Sequence, residues 1–165
     1  MTKPGLTDWA GGYDLIILDG CDGAGKTTLA AALANRHGHS LLHATLTPAG
    51  TDLFAKYHAI LARPGPQVLD RSFVSELVYG PLDRGRSRLT FEQAADLAAA
   101  AAQRGGILVH LTGQPGQIAA RLLARDGHAP APPRISALIS AYAYVFARMA
   151  DHAPVITIST TAAEA

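Results

Sequence analysis

The sequence predicts an α/β fold, a five-stranded parallel sheet flanked by helices. Three observations predict it. Strand-like apolar runs alternate with segments of helical period along most of the chain, which is the pattern of consecutive βαβ units. The first junction, Gly20-Cys21-Asp22-Gly23-Ala24-Gly25-Lys26-Thr27, is a glycine-rich loop set between an apolar run and an Ala/Leu-rich stretch. The 165 residues are 48% hydrophobic and 16% charged, which suits one well-filled core.

The elements follow in order. Leu15-Ile16-Ile17-Leu18 lies in a first strand over 14–19. A helix over 26–37 comes next, and Gly38 can end it in the left-handed conformation. Residues 40–45 read as a second strand and 51–63 as a helix, stopped by Arg63-Pro64-Gly65-Pro66. Gln67-Val68-Leu69-Asp70 is the third strand, followed by a short helix over 73–79 and an Arg/Gly-rich loop over 80–89. Thr90 and Gln93 form a capping box for an alanine-rich helix that ends at Gly105-Gly106. The fourth strand, 107–111, is apolar except for His110. A helix over 115–125 leads to a Gly/Pro loop over 126–133. The last helix carries Ile135, Leu138, Ile139, Tyr142, Val145, Phe146 and Met149 as one apolar stripe, which reads as core packing. Pro154 stops it, and 155–158 is the fifth strand. Residues 1–12 read as a loose N-terminal tail with Trp9 as an anchor. No internal repeat or second domain is visible.

Composition excludes some classes of partner. A formal net charge of +1 gives no global reason to expect nucleic acid or a membrane surface. No stretch approaches the roughly 20 apolar residues that span a bilayer. The first twelve residues hold no apolar segment of the kind a signal peptide needs. Cys21 is the single cysteine, so no internal disulfide forms, which fits a cytoplasmic protein. His37, His39 and His43 lack the cysteines or clustered carboxylates that complete a zinc shell.

The glycine-rich loop is a phosphate cradle by its chemistry. Gly20, Gly23 and Gly25 let the backbone approach an anion, and the helix N-terminus adds partial positive charge. Lys26 can reach the β- and γ-phosphates of a nucleotide, and the Thr27 hydroxyl can ligate Mg²⁺. The ATP-binding residues read from the loop are Gly20, Cys21, Asp22, Gly23, Ala24, Gly25, Lys26, Thr27 and Thr28. Asp70-Arg71 closes the third strand, and ligands of such sheets sit beyond the carboxyl ends of the strands. An aspartate there can hold Mg²⁺ or accept a proton, and an arginine there can fork onto a phosphate.

Leu18-Asp19-Gly20-Cys21-Asp22-Gly23-Ala24-Gly25-Lys26-Thr27-Thr28 resembles the opening of thymidylate kinases. Asp70-Arg71-Ser72-Phe73-Val74-Ser75-Glu76-Leu77-Val78-Tyr79 resembles that family's Asp-Arg-Tyr…Ser…Tyr segment, and also the Glu/Asp-Arg-Ser segment of deoxynucleoside kinases. Thr47-Pro48-Ala49-Gly50-Thr51 is similar to a worn Arg-Glu-Pro-Gly-Gly-Thr, and Arg121 and Arg125 resemble the start of a lid. The resemblance implies a single P-loop kinase domain over 13–165 with a short lid, using ATP and Mg²⁺ on small nucleotide substrates.

It also implies roles. Lys26, Asp70, Arg71, Arg121 and Arg125 would be catalytic, with Thr27 and Asp70 near the metal. Asp22, Phe54, Arg71, Ser75, Glu76 and Tyr79 would line the acceptor site, with Tyr57 or Phe73 as other stacking rings. Tyr79 would exclude a 2′-hydroxyl, and the backbone near Ser159-Thr160-Thr161 would pass the adenine. Two departures stand out. Leu46-Thr47 replaces Arg-Glu. Glu76 replaces an amide or small polar residue, and a carboxylate only accepts hydrogen bonds. It would favour a base offering N–H donors over thymine, unless it is a solvated helix residue. Arg84, Arg86 and Arg88 either close over the acceptor or form a solvated loop. Three activities remain open: a deoxynucleoside monophosphate kinase for dTMP or several dNMPs, a deoxynucleoside kinase acting on the 5′-hydroxyl, and a non-catalytic nucleotide-binding protein. The alanine-rich helices allow a homodimer, although solvent-exposed alanine would read the same way.

Overall fold

The computed structural model describes residues 7–44 and 47–160. The strands are β1 (Leu15–Asp19), β2 (Ser40–His43), β3 (Gln67–Asp70), β4 (Gly106–Thr112) and β5 (Val155–Ser159). The helices are α1 (Lys26–His37), α2 (Leu53–Leu61), α3 (Phe73–Arg84), α4 (Phe91–Gln103), α5 (Pro115–Asp126) and α6 (Pro132–Met149). The sheet order is β2-β3-β1-β4-β5, and every neighbouring pair is parallel. The expected fold class is therefore the observed one. β1 is central and all five of its residues are buried, as a strand covered on both faces must be. Leu18 lies opposite Asp70, so the loop after β1 and the residues after β3 leave the sheet side by side at its carboxyl edge.

Most elements form where their periodicity places them. Asp52 caps α2 by accepting the Ala55 amide, and the Thr90–Gln93 capping box is present on α4. The α6 stripe is buried at Ile135, Leu138, Tyr142, Val145, Phe146 and Met149, with Ile139 half-buried at its margin. β2 ends at His43. Thr45, expected in that strand, lies outside the described residues, as do Leu46 and Thr161.

Two expectations are corrected. The segment before Tyr13 is not loose from Thr7 onward. Asp8–Gly12 forms a 3-10 turn with Ala10 fully buried. Arg36 holds Thr7 and Asp8, and His37 Nε2 lies 3.1 Å from the Thr7 carbonyl oxygen. The second correction concerns α3, which continues past Tyr79 to Arg84 through Gly80-Pro81. Glycine at position 80 is set by a close approach, since a Cβ there would lie 2.9 Å from both the Arg86 carbonyl oxygen and Glu76 Oε1. The chain returning from α3 packs on that bare turn. Pro81 forgoes one helical hydrogen bond but keeps a helical φ. Gly85 ends the helix at φ 77°, its amide donating to the Pro81 carbonyl.

His110 is 5% exposed, stacked on Phe146 with centroids 4.6 Å apart and rings 15° from parallel. Burial pushes its pKa below the usual histidine value. The folded chain thus prefers neutral His110, while the unfolded chain takes up a proton as pH falls below about 6.5. Stability should drop as pH falls through that point, by up to about 1.4 kcal/mol per pH unit, until the folded-state pKa is reached. Urea unfolding of wild type and His110→Phe between pH 7.5 and 5 should show a flatter profile for the variant; equal slopes would remove this account.

Candidate functional site

The glycine-rich loop joins β1 to α1, and its conformation is dictated by contact. A Cβ on Gly20 would lie 2.2 Å from the Leu111 carbonyl oxygen of β4, so only glycine lets the chain leave the sheet here. Asp22, Gly23, Gly25, Lys26, Thr27 and Thr28 line a cavity of about 670 Å³. Gly20, Cys21 and Ala24 are buried behind it. Burial pushes the Cys21 thiol up, which disfavours the reactive thiolate. Lys26 is 6% exposed and donates from Nζ to the carbonyl oxygens of Gly20 (2.6 Å) and Cys21 (2.9 Å). Desolvation lowers its pKa, opposed by the nearby Asp19, Cys21 and Asp70.

At the floor of the cavity the Thr27 hydroxyl donates to Asp70 Oδ2 at 3.0 Å. A hydroxyl and a carboxylate this close, on the cavity wall beside Lys26, are hard oxygen donors of the kind Mg²⁺ accepts. His43 Nδ1 lies 2.8 Å from the same Asp70 oxygen. The register pairs His43 with Asp70 across β2 and β3, which no single-strand pattern discloses. His37 and His39 meet edge to face with centroids 6.1 Å apart, His39 Nε2 lies 2.9 Å from the Tyr13 carbonyl oxygen, and His43 stands apart from them on Asp70.

Arg71 is the single non-glycine residue with positive φ among the described residues, at 71°. Holding an L-residue there costs about 1–2 kcal/mol. Its guanidinium pairs with Asp22 and lies 5.7 Å from the Tyr79 ring centroid. Asp22 and Arg71 line the first cavity and also a second one, of about 530 Å³, that opens beside it. Ser75, Glu76 and Tyr79 line that second cavity. Burial pushes the Tyr79 phenol up to about 12, so its ring meets a ligand neutral.

Three acceptor-side expectations change. Phe54 lines neither cavity. It packs toward His58 with centroids 5.9 Å apart, and Leu53 and Tyr57, one turn apart on α2, face the second cavity instead. The Ser75 hydroxyl is held by Asp19, at 2.8 and 2.9 Å from its two oxygens. Glu76 is not solvated, and its oxygens are already paired within the chain. Its side chain is 9% exposed, pairs with Arg84 and Arg88, and accepts the Arg88 amide at 2.7 Å. These bonds hold its pKa below the usual carboxylate value despite burial. Arg88 also donates to the Thr47 carbonyl oxygen at 3.2 Å, tying the returning chain to the segment before α2. Arg84 and Arg88 line the second cavity, and Arg86 is exposed. Glu76→Gln should therefore act on structure first. It should cost about 1–3 kcal/mol, less than a fully buried pair because Arg84 is 44% exposed. Denaturant titration checks this; unchanged stability would refute it.

Arg121 and Arg125 both line the first cavity. Arg121 donates to the Gly23 carbonyl at 3.2 Å and to Thr160 Oγ1 and O at 2.9 Å each, joining α5 to the loop and to the end of β5. Arg125 is more exposed and paired with Asp126. The segment between α5 and α6, where the resemblance implies a lid, is only residues 127–131.

Sequence reasoning missed Asp19, which is fully buried under both loops. A carboxylate at the end of a wholly apolar strand was the available signal; its partners, from α3 and α6, were not legible.

No protein-family description matches this chain, and no curated protein sequence is similar to it. Solved structures do match. The YorR protein from Bacillus subtilis, crystallised in complex with phosphorylated GDP, superposes with a TM-score of 0.74 at 24% identity, over 91% of this chain and 86% of that one. Deoxyadenosine kinase from M. mycoides with bound dCTP gives 0.57 at 13% identity, over 88% and 89%. Shikimate kinase from Acinetobacter baumannii with shikimate gives 0.56 at 19% identity, over 94% and 88%. At these identities the likeness is one of fold, and that fold is the P-loop kinase fold.

Proposed function

We propose that this chain transfers the γ-phosphoryl group of ATP to a deoxynucleoside monophosphate, dTMP or several dNMPs. The observation that carries the reading is the pair of cavities meeting at Asp22 and Arg71. One holds the phosphate loop; the other is large enough for a nucleotide and has a guanidinium at the junction. Transfer between two phosphates asks the protein mainly for alignment and charge neutralisation. Lys26 leaves the loop carbonyls for the β- and γ-phosphates, Arg121 and Arg125 approach from α5, and Arg71 grips the acceptor phosphate. Tyr79 sits against the sugar and Tyr57 offers a ring to the base. Thr27 and Asp70 would hold Mg²⁺, which would supply charge neutralisation at the phosphates when bound. The small lid excludes water as it closes over the phosphates.

A second reading, a deoxynucleoside kinase acting on the 5′-hydroxyl, has a specific observation in its favour. Asp70 sits at the cavity floor with His43 on one oxygen, a carboxylate placed to accept a hydroxyl proton, and the deoxyadenosine kinase above shares the fold. An ADP-release assay with ATP·Mg²⁺ and each deoxynucleoside or deoxynucleoside monophosphate, offered separately, decides between them. Faster turnover with a monophosphate supports the first reading, faster turnover with a nucleoside supports the second, and ADP release with neither refutes both.

A further inference from the structure

We propose that Asp19 is the positioning residue that holds Arg71 in its left-handed conformation and so aims its guanidinium at the junction of the two cavities. The part of this that concerns the acceptor rests on the function proposed above; the conformational part does not. Six donors converge on the two oxygens of this buried carboxylate. They are the amides of Gly20 (2.9 Å), Ser72 (3.0 Å) and Ser75 (3.1 Å), and the hydroxyls of Ser72 (3.0 Å), Ser75 (2.8 Å) and Tyr142 (2.8 Å). Asp19 therefore sews the end of β1 to the first turn of α3 and, through Tyr142, to α6.

The bonds on either side of Arg71 explain its φ. The Arg71 amide donates to the Leu18 carbonyl at 2.9 Å, continuing the β1–β3 ladder. The next amide, Ser72, leaves the ladder and donates to Asp19 Oδ2. Residue 71 is thus the corner between a strand and a helix, with the amide before the turn and the amide after it both pinned to consecutive residues of β1. A strained backbone angle at a non-glycine residue persists only where its surroundings over-determine it. Here the ladder and the carboxylate do so, and the resulting direction of the side chain brings Arg71 to Asp22 and Tyr79.

The test compares glycine with alanine at position 71, because glycine tolerates positive φ and alanine does not. With Asp19 in place, Arg71→Gly should melt about 2 °C above Arg71→Ala. In the Asp19→Asn background residue 71 relaxes, and the order should vanish or invert. Glycine remaining above alanine by the same margin would overturn the proposal. A kinetic cycle reads the same coupling through substrate, with ATP and each of dTMP, dAMP, dCMP and dGMP. Asp19→Asn alone should lower acceptor kcat/KM at least tenfold, yet change it less than twofold once Arg71→Ala is present. Additive losses would show a merely structural role. If none of the four nucleotides is turned over by wild type, the proposed function fails while the glycine–alanine order still decides this claim. If Asp19→Asn does not fold, amide exchange in the unaltered chain decides it. Ser72 should be protected as strongly as Leu69, and loop-like exchange at Ser72 would overturn it.

Discussion

Lys26→Met should lower kcat by about 10²–10³-fold or more while leaving the fold intact. The kinetic loss follows from removing a preorganised cation from the transferring phosphates, a change of that order for a single such group. Stability should change little. Lys26 is 6% exposed, and its charged form is disfavoured by burial, with two loop carbonyls as its hydrogen-bond partners. A methionine of similar length removes a desolvated charge and fills the same space, but it leaves the Gly20 and Cys21 carbonyl oxygens without that donor, so the two effects offset to within about 1–2 kcal/mol. Thermal melts and steady-state kinetics on one preparation check both halves. A variant that loses activity only because it unfolds would contradict the account.

Arg71→Ala should cost about 10²-fold or more in acceptor kcat/KM, with the KM for ATP changed little. Arg71 stands at the junction of the cavities, so its loss falls on the acceptor side. Stability should shift by no more than about 1 kcal/mol, because the pair with Asp22 is partly exposed, at 33% and 46%. Alanine keeps the backbone strain and loses only the side chain. Equal losses for ATP and acceptor would move Arg71 out of the acceptor role and into general support of the phosphate cavity.

These two residues were legible before any coordinates, because their chemistry is local. Lys26 follows three glycines at fixed spacing, and Arg71 follows a four-residue apolar-to-acid strand. The strands and most helices were legible for a similar reason, since each carries its own period. What was not legible depends on chain segments that meet only after folding. Gly80-Pro81 looks like a break, yet α3 runs through it because Gly80 receives the backbone of Arg86. Glu76 looks like a base-reading or solvated carboxylate until Arg84 and Arg88 return onto it. Phe54 and Tyr57 are both rings on α2, and only the packing of that helix decides that Tyr57 faces the cavity. Asp19 follows an apolar run and gives no hint of six donors from the glycine-rich loop, the start of α3 and α6. The site's first layer is thus written in short motifs, while the layer that orients it is written in tertiary contacts.

The most direct test of the central claim is a crystal structure with a non-hydrolysable ATP analogue, Mg²⁺ and a deoxynucleoside monophosphate. The account predicts the triphosphate in the loop between Gly20 and Thr28, with Lys26 Nζ moved from the carbonyl oxygens of Gly20 and Cys21 onto a phosphate oxygen, and the acceptor phosphate on Arg71. A triphosphate bound away from the loop, or an acceptor phosphate that Arg71 does not touch, would contradict it.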